Sequence, residues 1–150
     1  MPPSATHRAQ SGLTAELVWS EQLSFAASSG ENAIVVDGDG AAGLSPMQCL
    51  AIGVASCLAI DVVAILKKGR HALEGLRTSF SGERTPDPPR RFVAIALQFH
   101  VVGQVPPEAV ERAIQLSRDT YCSAWNSLRQ DVGLTMTFTL NGGPERGVHP

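Results

Sequence analysis

The fold of this chain is decided by residues 45–69, which read SPMQCLAIGVASCLAIDVVAILKKG. Ser45 can cap a helix, Pro46 suits the first helical position, and Gln48 completes a Ser-x-x-Gln capping box. Gly69 is a suitable C-terminal stop. The pattern therefore predicts one long helix that begins at Ser45 and ends near Gly69.

Between residues 49 and 66 the clearly polar side chains are Ser56 and Asp61, so this helix is apolar nearly all round. A membrane span is disfavoured because Asp61 near its middle would cost about 3 kcal/mol in a bilayer. The helix is therefore expected to be wrapped by protein. A single small sheet covers one side of a helix, so a second subunit is the economical cover for the remainder.

The segments around the helix predict strands and shorter helices. Alternating patterns predict strands over 14–20, 23–27, 33–37, 73–84, 91–102 and 134–140. Helices are predicted to begin at Pro107 and, after a break near residues 119–120, to cover about 121–129. The inward stripe of the helix at Pro107 comprises Val110, Ala113, Ile114 and Ser117. This order predicts an α+β domain over residues 13–140, with a loose N-terminus at 1–12 and a loose tail at 141–150.

Composition excludes several classes of function. The net charge is −2 and no large basic field exists, so neither nucleic acid nor a membrane is an expected partner. The N-terminus MPPSATHRAQSG lacks an apolar signal region, which predicts a cytoplasmic protein. The chain has no Cys-x-x-Cys, no histidine at ligand spacing from a cysteine and no phosphate loop, so neither a metal nor another cofactor is expected.

Three cysteines are too few for a disulfide framework, and each has its own interpretation. Cys49 lies about 12 Å along the helix from Cys57, too far for a bridge, and is interpreted as core packing. For Cys57 the residues alone favour an inert small hydrophobe, because cysteines in apolar helices usually are. A reactive thiol is the alternative.

Several motifs together are similar to one known family. The residues SP at 45–46, CLAIDVV at 57–63, KK at 67–68 and YCS at 121–123 resemble OsmC/Ohr-like proteins, and the resemblance spans roughly residues 14–140. It implies an OsmC-like α+β fold in which β-strands wrap around a long buried central helix. It also implies an intertwined homodimer, which agrees with the cover that the helix pattern requires.

The resemblance implies a two-cysteine thiol peroxidase that reduces organic hydroperoxides. By position, Cys57 would attack the peroxide and Cys122 would resolve the sulfenic acid as a disulfide, which prevents irreversible oxidation. A dithiol would be the reductant. Leu58, Tyr121 and Trp125 are predicted to line an apolar substrate pocket, although ordinary core packing is the alternative for these residues.

The chain departs from the family pattern where the thiolate is stabilised. Family members use an arginine from the early strands held by a glutamate in the first helical turn; here Gln48 stands at the glutamate position, and residues 16–25 contain no arginine. Gln48, Asp61 and Arg118 are possible supporting residues, with a satisfied carboxylate as the alternative for Asp61 and a surface arginine as the alternative for Arg118. The departure favours a second hypothesis, a non-catalytic OsmC-like dimer that binds an apolar small molecule and whose cysteines are only redox-sensitive.

Overall fold

The structure is a computed structural model that describes residues 12–150. The chain divides into two compact units, one ending at Cys49 and the other beginning at Leu50. The predicted loose N-terminus at 1–12 lies, except for Gly12, outside the described residues.

The first unit contains a three-stranded antiparallel meander. Its strands are β1 (Glu16–Glu21), β2 (Ser24–Ser29) and β3 (Asn32–Asp37), in the order β1-β2-β3. The three strands predicted for this region are therefore confirmed, with shifts of at most two residues at their ends. At the end of β3 the Asp37 carboxylate accepts hydrogen bonds from the backbone N–H groups of Asp39 and Ala42 at 3.0 and 2.8 Å, which closes the loop before the long helix.

The long helix α1 (Pro46–Lys68) begins with the predicted capping box. The Gln48 N–H donates to Ser45 Oγ at 3.3 Å, and the Ser45 N–H donates to Gln48 Oε1 at 2.8 Å. Two N–H groups that a helix start leaves unpaired are thereby satisfied, as the local spacing predicted.

One face of α1 is packed inside the second unit. The fully buried residues recur every fourth position and are Val54, Leu58, Val62 and Leu66. Ile52 and Ile60 on other faces are 51% and 65% exposed. By length and composition alone α1 could also cross a bilayer, a test that the core helix of a soluble protein passes as well.

The second unit is built on a four-stranded sheet. Its strands are β4 (Ala72–Arg84), β5 (Phe92–Gln104), β6 (Gly133–Leu140) and β7 (Arg146–Gly147), in that spatial order. The first two form the predicted antiparallel hairpin, whereas β6 runs parallel to β5. Alternate β5 side chains enter the core, namely Ile95, Leu97, Phe99 and Val101, beside Met136 and Phe138 of β6.

A helical crossover connects the parallel strands β5 and β6, as parallel pairing requires. It consists of α2 (Pro107–Leu116), a π-helical segment (Ser117–Tyr121) and α3 (Ser123–Asn126). The sequence predicted a break near residues 119–120 and a helix over 121–129. The chain instead widens into a π-turn in which the Cys122 N–H donates to the Ser117 carbonyl at 2.8 Å, and α3 ends at Asn126.

The tail at 141–150, which the sequence predicts to be loose, makes contacts with the second unit in the structure. Its strand β7 pairs with β6, and the Asn141 side chain exchanges two hydrogen bonds of 2.9 Å with the backbone of Gly103. Near the end, the His149 carbonyl accepts hydrogen bonds from Gln115 Nε2 at 3.2 Å and Arg118 Nη1 at 3.3 Å. Polar composition suggested a free tail, but these backbone groups find partners on the sheet and on α2.

Candidate functional site

Two elements of the second unit bring the candidate site together. Helix α1 carries Cys57 and Asp61, and the segment after α2 carries Ser117 and Cys122. The two helical regions lie side by side, and the Ser117 hydroxyl on one donates to Asp61 Oδ2 on the other at 2.7 Å. The site therefore joins residues that are far apart in the sequence.

Cys122 occupies the N-cap position of α3 and has no exposed surface. Its N–H is bonded to the Ser117 carbonyl, and its Sγ accepts a hydrogen bond from the Trp125 N–H at 3.3 Å. Asn126 Nδ2 also donates to the Cys122 carbonyl at 2.8 Å. The thiol is thus held by a compact set of local backbone bonds.

Cys57 lies near enough to Cys122 to affect the pKa of its thiol, and both cysteines are free thiols. Burial raises the pKa of Cys122 from its ordinary value of 9.0 to about 11. The Trp125 N–H opposes this rise in pKa, whereas Cys57 and the negative charge of Asp61 add to it. Cys122 is accordingly a protonated thiol at neutral pH.

Asp61 is a hydrogen-bonded carboxylate on a half-buried position of α1. Its partner Ser117 is completely buried, and the same hydroxyl lies 3.4 Å from the Leu58 carbonyl oxygen. A buried hydroxyl is expected to have such partners, because an unpaired polar group in the core costs free energy.

Comparison with known proteins identifies the family. A family model described as OsmC-like protein matches residues 37–137. Protein YhfA of Escherichia coli strain K12 is 36% identical over 131 residues, a match that covers 85% of this chain and 98% of YhfA.

The chain belongs to the OsmC-like family. A hypothetical protein from Aquifex aeolicus VF5 superimposes on the OsmC-like chain with a TM-score of 0.82 at 27% identity, covering 87% of this chain and 97% of the other. An organic hydroperoxide resistance protein from Elizabethkingia anophelis has a TM-score of 0.66 at 16% identity, covering 89% and 99%, so it supports the fold alone. The OsmC-like α+β fold that the resemblance implied is confirmed.

Of the three possible supporting residues, Gln48 and Arg118 bond to groups other than the thiols. The Gln48 side chain is engaged in the capping box of α1. Arg118 Nε and Nη2 donate to the two carboxylate oxygens of Asp119, while Nη1 reaches the tail carbonyl of His149. The Gln48 contacts agree with a capping role, whereas the Arg118 side chain is only 17% exposed and is not a free surface arginine. Any support of the thiols by either residue stays a prediction.

The residues predicted to line a pocket differ widely in exposure. Leu58 has no exposed surface and belongs to the core, Trp125 is half-buried, and Tyr121 is 57% exposed. A small molecule in solvent can therefore reach Tyr121 directly, whereas Leu58 lies behind other side chains. Their role in binding substrate stays a prediction. Among residues 12–150, no group of three or more His, Cys, Asp or Glu side chains is arranged to hold a metal ion.

The OsmC-like site contains one residue that sequence reasoning missed. Ser117 appears in the sequence as the last member of the inward stripe of α2, where the other members are apolar. A hydroxyl on a buried face needs a polar partner, and Asp61 is the polar residue in the middle of the apolar helix. The presence of one buried hydroxyl and one carboxylate on two apolar faces was the signal in the sequence. Only the packing of the two helical regions shows that Ser117 and Asp61 are partners.

Proposed function

We propose that this OsmC-like protein is a two-cysteine thiol peroxidase that reduces organic hydroperoxides. The observation that carries the proposal is that the fold brings Cys57 and Cys122 into one site from different elements, with Ser117 near Cys122 bonded to Asp61 near Cys57. Two free thiols in one site are what peroxide reduction through a disulfide requires. The name of the similar Elizabethkingia protein, an organic hydroperoxide resistance protein, adds support at the level of the fold.

The exposure of the two cysteines and the protonation of Cys122 support different roles for them, one attacking the peroxide and the other resolving the sulfenic acid. Cys57 is half-buried, whereas Cys122 has no exposed surface, so a peroxide arriving from solvent meets Cys57 first. Burial raises the pKa of Cys122 to about 11, so little of this thiol is ionised at neutral pH and it is a poor first nucleophile. Cys57 is therefore the attacking residue and Cys122 the resolving residue.

The reaction then proceeds in three balanced steps. The Cys57 thiolate attacks the terminal peroxide oxygen, a sulfur–oxygen bond forms, the oxygen–oxygen bond breaks, and the alkoxide leaves and takes a proton from water. Cys122 next attacks the sulfenic sulfur of Cys57; the disulfide forms, and hydroxide leaves with the Cys122 proton as water. An external dithiol finally reduces the disulfide and is itself oxidised to a disulfide.

The proposal predicts one specific disulfide after exposure to peroxide. Adding tert-butyl hydroperoxide to the reduced protein should produce a Cys57–Cys122 bridge, which peptide mapping by mass spectrometry under non-reducing conditions will identify. The Cys49→Ser variant is a matched control and should form the same bridge with the same peroxide stoichiometry. If Cys57 and Cys122 remain unbridged while peroxide is present in excess, the two-cysteine peroxidase is wrong.

A non-catalytic OsmC-like dimer that binds an apolar small molecule is the second candidate. The feature that favours it is the negative environment of the thiols, since the charge of Asp61 and the neighbouring Cys57 both add to the raised pKa of Cys122. Gln48, which is neutral, is engaged in the helix cap. The addition of tert-butyl hydroperoxide with disulfide mapping also separates the two candidates. The second function predicts no peroxide-dependent bridge and no peroxide consumption.

We propose further that the protein is a homodimer in which a second copy covers the apolar side of α1. Ile52 and Ile60 are more than half exposed in the single chain, and burying such side chains contributes about 2 kcal/mol each. Multi-angle light scattering should therefore give twice the mass of one chain, and Ile60→Glu should shift the protein toward the monomer.

Val102, an exposed apolar residue on β5, provides the matched control for the dimer. The Val102→Glu variant introduces the same charge away from α1 and should stay dimeric. A wild-type protein with the mass of one chain at micromolar concentration contradicts the dimer, as does equal dissociation of the two variants.

A further inference from the structure

The π-helical segment Ser117–Tyr121 is linked to α1 by one buried hydroxyl. Within residues 12–150, the side-chain hydrogen bonds to oxygen that cross from this segment to α1 are both made by Ser117 Oγ, at 2.7 Å to Asp61 Oδ2 and 3.4 Å to the Leu58 carbonyl. Ser117 itself has no exposed surface. Its hydroxyl therefore joins the two parts of the site inside the core.

The same residue also begins the turn that carries the resolving thiol. The Ser117 carbonyl accepts the N–H of Cys122 at 2.8 Å, which closes the π-turn. The other bonds of this turn, from Trp125 and Asn126 to Cys122, are local and set its internal shape only. The position of the turn relative to Cys57 is thus set by packing and by the Ser117 hydroxyl.

We propose that Ser117 and Asp61 are positioning residues that hold Cys122 against Cys57, so that the resolving thiol is placed for attack on the oxidised sulfur. This inference deepens the proposed function and rests on it for its chemical meaning. Asp61 lies one helical turn after Cys57 on α1, so a bond to Asp61 places the turn beside Cys57. Asp61 also adds to the raised pKa of Cys122, so its charge and its hydrogen bond act separately on the same thiol.

The test measures the effective concentration of the Cys57–Cys122 pair from its disulfide equilibrium with reduced and oxidised glutathione, in a Cys49→Ser background. Ser117→Ala and Asp61→Ala each remove one end of the hydrogen bond and should lower the effective concentration about tenfold or more, the size expected for a bond to a charged group. Asp61→Asn keeps an accepting oxygen and should stay within about threefold of the parent.

A second readout separates positioning from general structure. In a Cys57→Ser background, Asp61→Asn should lower the pKa of Cys122, because the negative charge that helps to raise it is gone; thiolate absorbance against pH measures this. Ser56→Ala is the matched control, since Ser56 is exposed on the same helix and bonds only its own turn. It should leave both readouts unchanged.

The outcomes decide the inference whether or not the protein is a peroxidase, because the glutathione equilibrium involves no peroxide. If the wild-type protein consumes no hydroperoxide, the proposed function is wrong. If Ser117→Ala nevertheless lowers the effective concentration of the cysteine pair, the positioning role still stands. Equal effective concentrations in Asp61→Ala and Asp61→Asn overturn the inference, as does an equal loss in Ser56→Ala. If Ser117→Ala fails to fold, the comparison of the two Asp61 variants still decides the question.

Discussion

Cys57→Ser is expected to reduce hydroperoxide consumption to the uncatalysed background, a loss of more than about a thousandfold, because the variant has no thiolate to cleave the oxygen–oxygen bond. A serine hydroxyl stays protonated at neutral pH and is a far weaker nucleophile than a thiolate. Cys122, the remaining thiol of the pair, cannot replace it, since it is fully buried and its pKa is raised to about 11. Consumption of tert-butyl hydroperoxide in the presence of a dithiol measures the loss.

Cys122→Ser is the informative partner of that variant. Without added dithiol it should consume about one equivalent of peroxide quickly and a second one slowly, because the sulfenic acid of Cys57 forms, is not resolved and is oxidised further. Intact-mass spectrometry should then show Cys57 moving to the sulfinic acid, a gain of two oxygens. If the two variants have the same phenotype, or if Cys57→Ser retains consumption, the division of roles is wrong.

Phe99→Ala is expected to lower the free energy of unfolding by about 3–5 kcal/mol, the range for removing a large aromatic side chain from a core. Phe99 has no exposed surface and lies on β5, the strand that pairs with both β4 and β6. Its partner across β6 is Phe138, which is also buried, so the cavity would open at the middle of the sheet and cannot readily collapse. Urea unfolding followed by circular dichroism measures the change.

Val102→Ala, three residues along the same strand, is the control for that substitution. Val102 is 47% exposed, so its truncation should change the free energy of unfolding by less than about 1 kcal/mol. A loss below about 1 kcal/mol for Phe99→Ala would mean that the core is not centred on β5. An equal loss for the two variants would contradict the burial difference between the faces of this strand.

Features that depend on neighbouring residues could be predicted from the sequence. The capping box of Ser45 and Gln48 is present because its bonds join residues three positions apart, and any chain with this spacing can form them. The strands of the meander and the β4–β5 hairpin follow from alternation and turn residues for the same reason. The positions of Cys57 and Cys122 in the order of elements came from the family resemblance.

Features that depend on distant partners required the tertiary structure. In the tail at 141–150, Asn141 and His149 have partners on β5, α2 and the π-helical segment, which its polar composition does not reveal. At the predicted break before Cys122 the chain forms a π-turn, a rare widening of a helix that the local pattern does not signal.

The amino-acid pattern alone therefore specified one long apolar helix, its start, and the strands on either side of it. Which face of that helix is buried, and that Asp61 meets Ser117 while Cys57 meets Cys122, depended on how the crossover packs on α1. The physical reason is one of range. Caps, turns and periodicity are encoded within a few residues, whereas the environment of a thiol is the sum of burial and charge from elements far apart in the chain.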